Sequence, residues 1–145
     1  MKLKTMIFLL LGCTVLLLGC ESNNISSEDI YSLSEIKASA EKSGYIIESS
    51  DYIDGGYEIG DESISILIPT DDSGSVFCFI SSYKNEDIAQ NVIKQIENEK
   101  LHDYTIYGNI LAIYPNNYDN LNSIFENILS CNPDPCDTVF AKLKE

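Results

Sequence analysis

Five cysteines, one histidine and 23 carboxylates are the side chains through which this 145-residue chain can do chemistry, and it contains neither arginine nor tryptophan. A catalytic thiol needs an imidazole within hydrogen-bond reach, which makes Cys78 with His102 the nucleophile and base pairing to weigh. Cys78 lies between Phe77 and Phe79 in a stretch that reads as a buried strand, where a thiol behaves as a small hydrophobe. His102 belongs to the polar stretch NEKLHDY and reads as an exposed loop residue, and Asp103 beside it supplies no recognisable orienting signature.

Cys131 and Cys136 bracket Asn-Pro-Asp-Pro, whose prolines bend the chain sharply. This spacing predicts a disulfide that staples the preceding helix to the tail, worth about 2 kcal/mol for so small a ring. As metal ligands the pair supplies half of the four that a structural zinc site requires, and the histidine is distant in sequence, so no metal or other cofactor is expected. Carboxylates cluster at Asp51, Asp54, Glu58, Asp61 and Glu62, and again at Asp71 and Asp72. The stretch DYIDGGYEIGDE lacks the ligand register of a calcium loop. Glycoside chemistry depends on a carboxylate separation that spacing alone does not set. Both clusters therefore read as solvated loops, and no catalytic acid or base is assigned. With no P-loop, dinucleotide fingerprint, GxSxG elbow or paired-histidine zinc motif present, the chain leans away from enzymes.

The remaining cysteines sit at the N-terminus. Lys2 and Lys4 precede an apolar stretch from Met6 to Leu18 that ends at Gly19, the layout of an export signal. As a permanent helix, Met6 to Cys20 reaches only about 22 Å, short of the roughly 30 Å hydrocarbon core. The string LLLGC occurs twice, at 9–13 and 16–20. Before Cys13 the apolar stretch is shorter than the roughly 7 to 15 residues that a signal core needs, which singles out Cys20.

Leu17, Leu18, Gly19 and Cys20 resemble the lipobox of bacterial lipoproteins, departing from it at Leu18, where smaller residues are more usual. The resemblance implies transfer of a diacylglyceryl group to the Cys20 sulfur and cleavage before it. Residues 1–19 are then the signal peptide, and Cys20 is the mature N-terminus on the extracytoplasmic face of the cell membrane. Two acyl chains hold a protein stably where one holds it only reversibly.

From Cys20 onward seven lysines face 23 acidic residues, a formal charge of −16. Such a domain repels nucleic acid and anionic phospholipid, and without arginine it lacks the preferred fork for phosphate. The acidity reads as solubility and mutual repulsion at a crowded surface. ESNNISSED, residues 21–29, is polar and aperiodic, a flexible tether spanning roughly 15 Å. Residues 30–145 are long enough for one domain with its own core.

Within that domain Ser32 and Glu35 form a capping box ahead of Leu33, Ile36 and Ala40, and Gly44 is a natural stop, which together predict a first helix. YIIESSDYI, 45–53, reads as extended, with a turn at 54–56. SISILI, 63–68, and VFCFIS, 76–81, flank the turn chemistry of PTDDSGS and predict a hairpin. Ile88, Ala89, Val92, Ile93 and Ile96 predict a second helix over 85–99 behind Asn85.

TIYGNILAIYP reads as two short strands around Gly108 and Asn109 that end at Pro115. Leu121, Ile124, Phe125, Ile128 and Leu129 predict a third helix capped by Asn117 or Asp119. DTVFAKLKE allows a short final helix with Val139, Phe140 and Leu143 facing the core.

The order of elements predicts an α+β fold of two layers, a mainly antiparallel sheet with about three amphipathic helices packed on one face. Nine tyrosines suit either strand interiors or a recognition surface. The expected function is that of a lipid-anchored module binding a protein or envelope component. A cell-envelope hydrolase using carboxylates and a structural accessory lipoprotein are the alternatives.

Overall fold

The computed structural model describes residues 31–51, 56–70 and 74–143, apart from the side chains of residues 140–142. The signal, Cys13, Cys20 and the tether lie outside the described residues, as do Tyr52, Asp54, Asp71, Asp72 and the Phe140 side chain.

The chain opens with α1 (Leu33–Lys42), where Ser32 accepts from the Glu35 N–H and the Glu35 carboxylate accepts from the Ser32 N–H in return. Gly44 ends it in the left-handed region at φ +91°. The Gly44 N–H donates to the Glu41 carbonyl and the Tyr45 N–H to that of Ala40, the paired bonds of a Schellman cap. Next come β1 (Ile46–Ser49), β2 (Glu62–Pro69) and β3 (Ser75–Ser82). In the β2–β3 hairpin Ile64, Ile66 and Ile68 stand opposite Ile80, Cys78 and Val76.

Helix α2 (Glu86–Glu99) follows, capped by the Asn85 side chain accepting from the Ile88 N–H. Lys100 in the left-handed region, its N–H bonded to the Ile96 carbonyl, turns the chain at once into β4 (His102–Tyr107). The strand expected from Thr105 therefore begins three residues earlier, and His102 belongs to the sheet opposite Pro115 rather than to a loop. Gly108 and Asn109 make the two-residue turn into β5 (Ile110–Pro115), and Tyr83 exchanges hydrogen bonds with Asn109 at its tip.

Helix α3 (Leu121–Leu129) starts behind Asn120, not Asn117 or Asp119, because residues 116–120 are spent in turns; no side chain caps it. A seven-residue α4 (Cys136–Lys142) closes the described chain.

The fold is α+β: the described residues form five antiparallel strands in the order β1-β2-β3-β5-β4, with four helices. Alternation along each strand divides the core in two. Ile66, Cys78, Ile80, Ile110 and Ala112 face α1, α3 and α4 with Ile36, Phe125, Ile128 and Val139, all nearly inaccessible. Leu111 and Ile113 point the other way, onto Ala89, Val92, Ile93 and Ile96 of α2. The single helical layer expected from the sequence thus becomes two, because α2 crosses from β3 to the far edge over the opposite face. That leaves β5 covered on both sides, while among the described residues no helix lies over the same face of β1, β2 and the start of β3.

On the three-helix side, Tyr114 stacks on Phe125 with ring centroids 4.9 Å apart. The Tyr114 hydroxyl donates to Asn122 Oδ1 at 3.1 Å and lies 2.9 Å from Thr105 Oγ1, fixing α3 against β4 and β5. Among the described residues no helix is long and apolar enough to cross a membrane.

Candidate functional site

The uncovered part of the sheet is set by register. Ile46 of β1 pairs with Leu67 of β2, and Leu67 with Phe77 of β3, so the three side chains form one cross-strand row on the face that α2 occupies farther along. Ile46 is 63% exposed and Phe77 55%, with Leu67 half-buried between them. β1 is an edge strand, and no described strand pairs its outer side. Backbone hydrogen-bonding groups and an apolar row therefore meet at one margin of the molecule, the combination by which a sheet adds an extended segment. Periodicity identifies Phe77 as a strand residue but carries no sign that its face would be open.

A second feature is a cleft of about 790 Å³ between the end of α1 and the start of α4, with Cys131 and Cys136 in its wall. Both are free thiols, so the bridge expected from CNPDPC is not formed here. The loop between them is held from α3: the Asn132 N–H donates to the Asn127 carbonyl, and Asn127 Nδ2 donates to Asp134 Oδ2. Burial raises both thiol pKa values, with Glu35 adding to the effect at Cys131 and Asp137 at Cys136. Neither has the acidified character of a nucleophilic cysteine. Nearby, the Tyr45 hydroxyl is buried without a hydrogen-bond partner among the described residues. Its pKa is raised chiefly by desolvation and then by Cys136 and Asp134.

His102 has partners that the sequence did not suggest. Tyr57, itself buried, donates its hydroxyl hydrogen to Glu99 Oε2 at 3.0 Å, and its oxygen lies 3.1 Å from His102 Nδ1. An ionised carboxylate only accepts, so the single phenolic hydrogen is committed to Glu99, and Nδ1 must carry the hydrogen that reaches Tyr57. His102 borders a cleft of about 310 Å³ with Lys100, Asp103, Tyr104 and Asn116.

Cys78 is not beside it. His102 shares its sheet face with Tyr104 and Ile113, on the α2 side, whereas Cys78 points into the three-helix core and is wholly buried. Desolvation raises the Cys78 pKa strongly, and the sheet itself separates the pair.

Of the carboxylates, Asp51, Asp61 and Glu62 line a cleft of about 370 Å³ with Lys37. Among the described residues no group of three or more histidine, cysteine or acidic side chains converges to hold a metal ion. Gly60 is required there by close approach, since a Cβ would collide with the Ser82 carbonyl. The tyrosines mostly serve the interior: Tyr45, Tyr57, Tyr83, Tyr107 and Tyr114 are buried, and they form no surface patch.

No protein-family model matches the chain, and no curated protein or solved structure matches it.

Proposed function

We propose that this chain is a lipid-anchored extracytoplasmic binding module, tethered to the cell membrane through diacylated Cys20. It captures an extended segment of a protein or envelope component along β1. The observation that carries the binding reading is the row Ile46–Leu67–Phe77 open to solvent beside an edge strand. Main-chain bonds along such an edge supply affinity, and alternate side chains of the guest reach the apolar row. The lipobox resemblance at residues 17–20 supports the anchor. A thiol hydrolase has less behind it, because Cys78 and His102 face opposite sides of the sheet.

Two experiments on the full chain in cells test the two halves. Cys20→Ala should release the protein from the membrane fraction and abolish lipid labelling; undiminished retention and labelling reject the anchor. A photo-crosslinking residue at position 77 should yield a discrete adduct that the same residue at exposed Gln90 of α2 does not. Equal adducts at both positions, or none at 77, reject the β1 surface as the binding site.

A further inference from the structure

We propose that Cys131 and Cys136 are a reversible thiol–disulfide pair whose closure ties the start of α4 to the C-terminal cap of α3, beside the end of α1. Helix α1 places them. Ser39 Oγ donates to the Cys131 carbonyl at 3.1 Å, and the Cys136 N–H donates to the Ser43 carbonyl at 2.9 Å. Ser39 and Ser43 are one turn apart, about 6 Å along the axis. The two cysteines are thereby anchored on successive turns of one helix, in the wall of one cleft.

Cys131 also occupies an unusual backbone position. Its φ is +54°, and its N–H bonds to the Ile128 carbonyl while that of Asn132 bonds to Asn127, so it stands where a Schellman cap ordinarily has glycine. An L-residue there is strained, its Cβ crowding the following carbonyl oxygen. The Cys131 side chain is half-buried at the cleft wall, against the margin of the three-helix core.

The reaction is exchange with a low-molecular-weight disulfide of the glutathione class. One protein thiolate attacks it, forming a mixed disulfide and releasing one small thiol. The second protein thiolate then attacks the protein sulfur of that mixed disulfide and releases the other small thiol. The protein loses two electrons and two protons, and the small disulfide is reduced to two thiols. Helix α4 is the element that gains. It has seven residues and no side-chain N-cap, and it is docked through Val139. The bond ties its first residue to the cap of α3. This inference rests on local geometry and stands whether or not Cys20 is acylated.

The test equilibrates the detergent-solubilised full chain with graded ratios of reduced to oxidised glutathione. After acid quench and maleimide blocking, intact mass and peptide mapping are read. The expected product is two hydrogens lighter, with Cys131 joined to Cys136, and reverts in reduced glutathione. Its formation should be favoured at least roughly tenfold over that of the same chain in urea. Amide exchange in α4 should slow on oxidation. Separate glutathione adducts on the two cysteines, a bond mapped to any other cysteine, or an equilibrium no better than in urea overturns the proposal.

Discussion

The Tyr57 hydroxyl joins His102 to Glu99, lying 3.1 Å from the imidazole Nδ1 and donating to the carboxylate at 3.0 Å. Tyr57 precedes the whole β2–β3 hairpin, and His102 and Glu99 follow it, so this contact ties a loop to the junction of α2 and β4. Tyr57→Phe should lower stability by about 1 kcal/mol, the net worth of a hydrogen bond. It should also release the Nδ1–H tautomer, read as a change in the imidazole nitrogen shifts. Unchanged shifts would show that Tyr57 does not set the ring.

Two phenylalanines distinguish a surface residue from a structural one. Phe77 is 55% exposed and Phe125 is fully buried against Tyr114. Phe77→Ser is expected to move the urea midpoint by the equivalent of no more than about 0.5 kcal/mol. It should nevertheless eliminate the adduct formed by a crosslinking residue at Ile46. Phe125→Ala should cost about 3–5 kcal/mol through the cavity it leaves.

Gly60 approaches the backbone of Ser82 closely, and its N–H donates to Ser81 Oγ at 2.9 Å. Any side chain there collides with main chain rather than with a movable group. Gly60→Ala is expected to destabilise by about 2 kcal/mol or more, measured by thermal melting, with loss of the Asp61 N–H bond to the Ser82 carbonyl. A melting temperature equal to that of the parent would contradict the close approach.

Alkaline pH should unfold the protein ahead of any specific reagent. Burial, opposed by the Thr105 hydrogen bond and reinforced by Asp103, pushes the Tyr114 phenol up to about 12 from an ordinary 10.0. Burial also raises Tyr45 and Cys78. Above pH 10 the unfolded chain releases the Tyr114 proton while the folded chain keeps it. This contribution is intact below pH 10 and falls as pH rises toward 12, by up to about 1.4 kcal/mol per pH unit. Urea midpoints across this range, with tyrosinate absorbance, check the sign; a rising midpoint would refute it.

The sequence by itself determined most of the elements, because their signals are local. Ser32 with Glu35 caps α1, Asn85 caps α2, Gly108 with Asn109 turns β4 into β5, and the 121–129 stripe buries as its period requires. The sites were not legible in the same way, because they depend on which faces meet. Two strands that each carry a continuous apolar stretch, VFCFI and ILAIY, had different fates. Ile113 is buried beneath α2, whereas Phe77 on the same face is open, since only the path of α2 from β3 to the far edge decides what is covered. The same topology set Cys78 and His102 on opposite faces of one sheet and brought His102 to Tyr57 from 45 residues away. Periodicity reports that a residue has an inside and an outside; packing of elements distant in the chain decides what stands on each.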